Sequence, residues 1–222
     1  MRTYIVRARR LYVTQSSIIS DELRIAVGIT FIMNTNTLLL TIFLNIFINT
    51  SGAIECPTII SRAQWQARRS REDNFLITPI PYVIIHHTVT PECETFAACS
   101  GRIRNIQDYH MDELNWQDIG FSFFIGGDGN VYEGVGWNKE GAHTYGYNKK
   151  SVGIAFIGSY QREEPSQKMV DAAHKLIACG KEQLMVRPDV KVLGASQVTG
   201  TVSPGKKLYE KIQSWPEWAS VP

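Results

Sequence analysis

Residues 122–134 read SFFIGGDGNVYEG, and this segment predicts a β-hairpin. Two short runs rich in aromatic and β-branched residues, 122–126 and 131–134, flank the tetrapeptide 127–130. The Gly and Asp residues of that tetrapeptide tolerate the positive φ angles that tight hairpin turns require. The segment therefore predicts two neighbouring antiparallel strands, and the other elements of the fold lie before and after them in the sequence.

Strand and helix patterns alternate outward from the hairpin. Predicted strands are 82–87 (YVIIHH), 152–157 and a short one at 192–194, all rich in β-branched residues. Apolar residues recur at helical spacing in three other segments. These are Cys93 to about Met111, a segment after Ser166 that ends in C-cap fashion at Cys179-Gly180, and Lys207 to Trp215. The prediction is an α/β fold, a central sheet packed by about three helices.

Composition excludes several classes of protein. The 222 residues are 44% hydrophobic and 20% charged, which is typical of a chain that folds around a core and not of a disordered one. The net charge is +2, and the residues after position 53 contain 18 basic and 19 acidic side chains. Nucleic-acid binding normally needs a strongly basic surface, so nucleic acid is not an expected partner.

The first 53 residues are predicted to be a signal peptide. Two apolar runs, 25–33 and 38–48, precede small residues, and we expect cleavage near Ala53 and one domain over 54–222. Two alternatives stay open. Translation from Met33 would give a shorter signal peptide, and the apolar segment could instead anchor a single-pass type II membrane protein.

All four cysteines lie beyond the expected cleavage position. In a secreted chain four cysteines form a disulfide framework with three connectivities. We favour Cys93–Cys99, which closes a small loop ahead of a helix, and Cys56–Cys179, which ties the mature N-terminus to a later helix. The only N-glycosylation motif begins at Asn49, so no N-glycan is expected on the mature chain.

His86 and His87 end the predicted strand 82–87 and are candidate metal ligands, because imidazole commonly binds zinc. Adjacent strand residues point to opposite faces, so at most one of them normally serves a single site. Among the other histidines, His110, His143 and His174 show no metal-ligand spacing. Residue chemistry alone therefore gives a weak indication of a metal site.

Four motifs in order resemble the peptidoglycan recognition protein family, which is related to zinc-dependent N-acetylmuramoyl-L-alanine amidases. They are IIHHT (84–88), NWQDIGFSFFIGGDGNVYEGVGW (115–137), GAHTYGYNKKSVGIAFIG (141–158) and SPGKKLYEKIQSWPEW (203–218). The resemblance covers essentially Cys56 to Trp218. It implies an amidase-like fold, in which a mixed β-sheet and three helices carry a peptide-binding groove.

The resemblance also implies that the amidase chemistry is lost. Active relatives bind zinc through two His and one Cys and use a Tyr in a DIGY motif. Here His86 remains, whereas Ala195 and Ser203 occupy the other ligand positions and Phe121 replaces the Tyr. A catalytic zinc site needs three strong protein ligands, so neither bound metal nor another cofactor is expected. Ser203 as a nucleophile is not favoured, because no group is evident that would orient His86.

Binding does not need the metal, and the resemblance places nine residues in the ligand groove. They are His86, His87, Thr88, His110, Asn115, Trp116, Phe121, Val135 and His143. Relatives that favour diaminopimelate-type peptidoglycan tend to have Gly where this chain has Asn115 and Arg where it has Val135. Trp116 matches those relatives, but Val135 cannot pair with the extra carboxylate of diaminopimelate. The pattern favours lysine-type peptidoglycan.

The function implied is that of a secreted, non-catalytic receptor of innate immunity. Short insect-like members of the family act upstream of Toll signalling. The expected partners are therefore peptidoglycan and either a glucan-recognition co-receptor or a component of a serine-protease cascade. The alternative is a zinc amidase that degrades peptidoglycan.

Overall fold

The computed structural model describes residues 56–222. The predicted signal segment and its cleavage position lie outside the described residues. Six strands form one sheet: β1 Ile59–Ile60, β2 Ile80–His87, β3 Phe123–Ile125, β4 Val131–Glu133, β5 Ser151–Phe156 and β6 Val186–Gly194. Three α-helices accompany them in this part of the chain: α1 Phe96–Asp108, α2 Gln167–Glu182 and α3 Lys206–Ile212. The α/β prediction is confirmed.

The sheet is mixed and has the strand order β1-β4-β3-β5-β2-β6. Only the β3–β4 hairpin is antiparallel, with Phe124 opposite Tyr132, and every other neighbouring pair is parallel. The hairpin predicted from 122–134 therefore lies inside the sheet, beside β5. Parallel strands place their carboxyl ends at one edge, where ligand sites of α/β sheets commonly form.

Two apolar layers cover the faces of the sheet. Helices α2 and α3 pack on one face around Ile85, Phe156 and Leu176, all less than 2% exposed. Helix α1 packs on the other face through Cys99 and Ile103, which are fully buried against Phe124. Burial on both faces accounts for the nearly continuous apolar runs of β2 and β5.

Several predicted boundaries are wrong. The last strand, predicted as 192–194, begins six residues earlier and runs over Val186–Gly194. Two other differences have identifiable reasons. Strand β2 begins at Ile80, two residues before the predicted start, and its register against β6 shifts between Ile80 and Tyr82. Pro81 lies at this irregularity, where a missing N–H is tolerated. Helix α2 runs through Gly180 to Glu182 instead of ending at Cys179-Gly180. A Cβ atom at Gly180 would lie 2.6 Å from the Trp137 ring, so this glycine admits a close packing contact.

The favoured disulfide pairing is confirmed. Cys56–Cys179 connects positions 123 residues apart, and Cys93–Cys99 closes a loop of six residues at the start of α1. In the region from Cys56 onward, no helix is both long and apolar enough to cross a bilayer.

Candidate functional site

A groove lies between the carboxyl end of β2 and helix α1, with a volume of about 380 Å³. Four of the nine expected ligand residues line it, namely His87, Thr88, His110 and Phe121. The other residues of its wall are Thr90, Arg102, Asn105, Ile106 and Tyr109. The wall combines apolar surface with a few polar groups, as in small-ligand sites.

The two histidines that end β2 have separate roles. His87 lies in the groove wall, and its Nδ1 accepts a hydrogen bond from the Tyr160 backbone N–H at 3.1 Å. His86 lines neither the groove nor the pocket described below. Its Nε2 lies 3.0 Å from Thr144 Oγ1 and its ring centroid is 5.1 Å from that of Phe121. His86 therefore supports Phe121 from behind.

His110 reaches the groove through a local change of helix type. Helix α1 continues into a π-helical turn at Tyr109–Glu113, a widening that is frequent at functional sites. His110 Nδ1 accepts a hydrogen bond from the Gly120 backbone N–H at 2.9 Å, and the ring centroids of His110 and Trp116 lie 4.6 Å apart. The turn thus joins α1 to the segment that carries Trp116 and Phe121.

Two glycines make room for aromatic rings of the site. A Cβ atom at Gly120 would come within 2.7 Å of the Trp116 ring, and one at Gly153 within 2.5 Å of the His143 ring. His143 lies over β5 beneath the groove, with its ring centroid 5.5 Å from that of His86. Its backbone N–H donates to Asn148 Oδ1 at 3.1 Å. His143 is therefore part of the foundation of the site and not of its wall.

A second, polar pocket of about 350 Å³ contains the remaining three candidates, Asn115, Trp116 and Val135. Asn115 has a left-handed backbone with φ 54°, a conformation that Asn and Gly adopt more readily than other residues. Arg71 Nη1 donates to Asn115 Oδ1 at 3.1 Å and to the Trp116 carbonyl at 3.2 Å. The pocket adjoins the groove, because Trp116 packs on His110.

The electrostatics of this pocket are acidic. Asp73 pairs with Lys139 at 2.8 Å, and Asp118 pairs with Arg62 at 2.9 Å. These contacts leave Glu72 and Glu140, which also line the pocket, with no salt-bridge partner among residues 56–222. We name this the acidic pocket. It favours a cationic group of a ligand over an anionic one.

The four histidines of the site are neutral at physiological pH. Burial lowers the pKa of both His110 and His143 to about 4. Burial also lowers the pKa of His87, and burial together with the neighbouring His143 and His87 lowers the pKa of His86 well below its usual value. Of the four, His87 and His110 line the groove and therefore present uncharged imidazoles to it.

The residues around His86 do not fit a zinc ion. Strand β6 places Gly194 beside Ile85, so the next residue, Ala195, follows next to His86 with no donor atom. Ser203 Oγ lies 3.5 Å from His86 Nδ1. Nowhere in the described chain do three His, Cys, Asp or Glu side chains converge as a ligand set. A methyl group, a neutral hydroxyl and one imidazole do not form a tetrahedral zinc site.

The geometry also does not activate Ser203 as a nucleophile. Its Oγ accepts a hydrogen bond from the His87 backbone N–H at 3.1 Å and is 3.5 Å from His86 Nδ1, longer than an effective nucleophile–base contact. The other nitrogen of His86 faces the hydroxyl of Thr144 and no carboxylate. Ser203 therefore lacks the oriented base that serine catalysis needs.

Sequence reasoning missed several residues of the groove wall. Arg102 and Ile106 lie four residues apart on α1, and Tyr109 follows three residues later at the start of the π-helical turn, so all three face the groove. This spacing was the available signal. It does not separate groove from core, because the predicted buried face, which includes Ile103, adjoins the face that lines the groove on the same helix.

Fold and site together define a class: an α/β domain with a groove of about 380 Å³ in which residues 56–222 bring together no ligand set of a zinc hydrolase. A family model described as N-acetylmuramoyl-L-alanine amidase matches residues 77–206. The chain is also 50% identical over 165 residues to peptidoglycan-recognition protein 1 of Holotrichia diomphalia, covering 74% of this chain and 84% of that protein. The chain belongs to the peptidoglycan recognition protein family.

Solved structures agree with this assignment. Bumblebee PGRP-SA aligns with a TM-score of 0.74 and 59% sequence identity, over 75% of this chain and 100% of that one. Peptidoglycan recognition protein-LE, solved in complex with tracheal cytotoxin, a monomeric diaminopimelic acid-type peptidoglycan, aligns with a TM-score of 0.73 and 40% identity. That match covers 73% of this chain and 96% of the other. These relatives are named as recognition proteins and not as amidases.

Proposed function

We propose that this protein is a secreted receptor that binds bacterial peptidoglycan in the groove and does not hydrolyse it. The observation that carries the proposal is the contrast between a preserved groove and an unsuitable metal site. His87, His110 and Phe121 line one groove, whereas the resemblance assigns Ala195 and Ser203 to positions at which active relatives supply zinc ligands. Binding needs shape and hydrogen bonds, and hydrolysis needs the metal in addition. The ligand recorded for recognition protein-LE supports this choice of substrate class.

The first expected result is binding without turnover. The purified protein should co-sediment with insoluble peptidoglycan, release no soluble peptide, and behave identically with added zinc or with EDTA. Peptide release is measured by chromatography of the supernatant, with a zinc amidase of the family as the positive control. Release of peptide that depends on zinc would establish the alternative function, an amidase with an unusual metal site.

We further propose that the groove prefers lysine-type peptidoglycan. Val135 contributes no charge to the acidic pocket, and Glu72 and Glu140 leave it negative. The ε-ammonium group of a stem-peptide lysine is attracted to such a pocket. The extra carboxylate of diaminopimelate is repelled by it. The charge of the pocket therefore supports the same preference that Val135 indicates from the sequence.

Val135→Arg tests this preference. The arginine should raise affinity for diaminopimelate-type muramyl peptide about tenfold relative to the lysine-type peptide, because a guanidinium forms charge-assisted hydrogen bonds with the added carboxylate. Titration calorimetry with both peptides measures the ratio. Val135→Met is the matched control, since it enlarges the side chain without charge. An unchanged ratio in Val135→Arg, with the variant folded, would contradict the proposed selectivity.

The biological setting is proposed from the resemblance. We place the mature domain at 54–222, secreted after removal of the preceding segment, with the type II membrane form as the alternative. Ligand binding would signal through a serine-protease cascade or a glucan-recognition co-receptor toward Toll-type defence against Gram-positive bacteria. N-terminal sequencing of protein from culture medium tests the boundary. Protease activation in haemolymph by lysine-type peptidoglycan, with and without the protein, tests the signalling route.

A further inference from the structure

Arg102 is a cation in the groove wall to which the proposed function assigns no role. It lies on α1, in the same wall as Thr90 and Asn105. Its Nε is buried without a hydrogen-bond partner, and no carboxylate of residues 56–222 lies within salt-bridge distance of its guanidinium. Two residues further along α1, Arg104 is occupied, because its Nη1 donates to the Trp65 carbonyl at 2.9 Å.

Four other arginines of the described chain, Arg62, Arg68, Arg71 and Arg187, have carboxylate partners. Arg62 pairs with Asp118 at 2.9 Å, and Arg68 pairs with Asp108 at 2.9 Å and also with Asp112. A guanidinium that is partly removed from water and has no acceptor loses hydration without compensation. An acceptor supplied by a ligand in the groove would remove this cost. The acceptor that fits a guanidinium best is a carboxylate, which it binds through two parallel hydrogen bonds.

The groove and the acidic pocket have opposite electrostatic character. No acidic residue is present among the side chains that line the groove, so Arg102 gives it a positive charge. The acidic pocket contains Glu72 and Glu140 without salt-bridge partners in the described chain. A ligand that spans both is favoured when it carries a carboxylate toward Arg102 and an ammonium group toward Glu140.

The separation of the two sites suits a short peptide. Arg102 and His110 are eight residues apart on a helix, which corresponds to roughly 12 Å along its axis. His110 then contacts Trp116, a residue of the acidic pocket, with 4.6 Å between ring centroids. An extended peptide covers at most about 3.3–3.6 Å per residue. The path from Arg102 to Trp116 is therefore roughly 17 Å, which about five extended residues span.

We propose that Arg102 binds a carboxylate of the peptidoglycan stem peptide and so sets the direction in which the peptide lies in the groove. This inference rests on the proposed function. Two carboxylates have the required chemistry: the α-carboxylate of a glutamate at the second stem position, which bacteria leave free or amidate, and the C-terminal carboxylate of the stem. Arg102 thereby distinguishes an anionic stem from one in which that group is an amide.

The test uses synthetic lysine-type muramyl pentapeptides in three forms: both carboxylates free, the glutamate carboxylate amidated, and the C-terminus amidated. Titration calorimetry is performed on the unmodified protein, on Arg102→Gln, and on Arg162→Gln as a matched control at an exposed position outside the groove. Arg102→Gln should bind the fully ionised peptide roughly tenfold more weakly, because a charge-assisted hydrogen-bond pair is lost. Arg162→Gln should bind it as the unmodified protein does.

The amidated peptides identify the carboxylate. Amidation at the group that Arg102 contacts should weaken binding to the unmodified protein about tenfold and abolish the difference between it and Arg102→Gln. Amidation at the other carboxylate should preserve that difference. If Arg102→Gln binds all three peptides more weakly by the same factor, Arg102 has a structural role and the inference is overturned. If Arg102→Gln binds all three peptides as the unmodified protein does, the inference is overturned as well. If the unmodified protein binds none of the peptides, the proposed function itself fails.

Discussion

Lowering the pH from 7 to 4.5 is expected to decrease the free energy of unfolding by several kcal/mol, on the order of 4. His110 and His143 have pKa values of about 4 in the folded protein because they are buried, against 6.5 for an exposed imidazole. Between these values the unfolded chain binds protons that the folded chain does not. Stability is therefore complete above about pH 6.5 and falls as the pH drops, by about 1.4 kcal/mol per unit for each proton taken up.

Urea unfolding followed by circular dichroism at several pH values between 7.5 and 4.5 measures this slope. His143→Gln and His110→Asn should each reduce the slope by about one proton. Added salt should change it little, because burial and not an exposed ion pair causes the shift. A stability that is constant from pH 7 to 5 would contradict the prediction. A loss of 4 kcal/mol is large beside the 5–15 kcal/mol typical of whole domains.

Replacing Cys56 and Cys179 together with serine is expected to cost about 4–5 kcal/mol of stability. The disulfide links positions 123 residues apart, and the entropy that a cross-link removes from the unfolded chain increases with loop length, reaching about 4.7 kcal/mol for a 100-residue loop. The groove lies on β2 and α1, which this disulfide does not touch. Ligand affinity at a temperature where the variant is folded should therefore be unchanged.

The double variant Cys93→Ser and Cys99→Ser is the matched comparison. Its loop spans only six residues, so the entropic loss is expected to be about 2 kcal/mol. This disulfide, however, fixes the start of α1, the helix that carries Arg102 and His110. Ligand affinity should fall here and not in the first variant. Chemical denaturation and calorimetry on both variants separate the two effects, and the opposite order of stabilities would refute the loop-length argument.

Most of the fold was predictable because its signals are local. The 127–130 turn, the β-branched residues of β2 and the apolar stripe of α2 each depend on a few neighbouring residues. The errors have long-range causes. Gly180 resembles a C-cap from the sequence, but Trp137, 43 positions earlier, packs against it inside a helix that continues to Glu182. Pro81 resembles a strand boundary, but the irregular pairing with β6 accommodates it.

The sequence offers candidate site residues but not their arrangement. Motif order nominates His87, His110 and Trp116, and the structure places the first two in the groove wall and Trp116 in the acidic pocket, a division that the order along the chain does not reveal. The π-helical turn at Tyr109–Glu113 has no clear sequence signal, although it places His110 in the groove wall. Arg102 escaped notice because an arginine on a helix normally faces water. Its significance depends on the absence of a partner, which only the three-dimensional arrangement reveals.

The left-handed backbone at Asn115 restricts which residues this position accepts. At φ 54° most side chains are strained, whereas asparagine and glycine are both accommodated. The resemblance places glycine here in relatives that favour diaminopimelate-type ligands. Exchange between these two residues changes what the pocket presents to a ligand without imposing a backbone penalty. The same φ of 54° would strain a β-branched or bulky side chain at this position, which limits the polar groups that the pocket can present here.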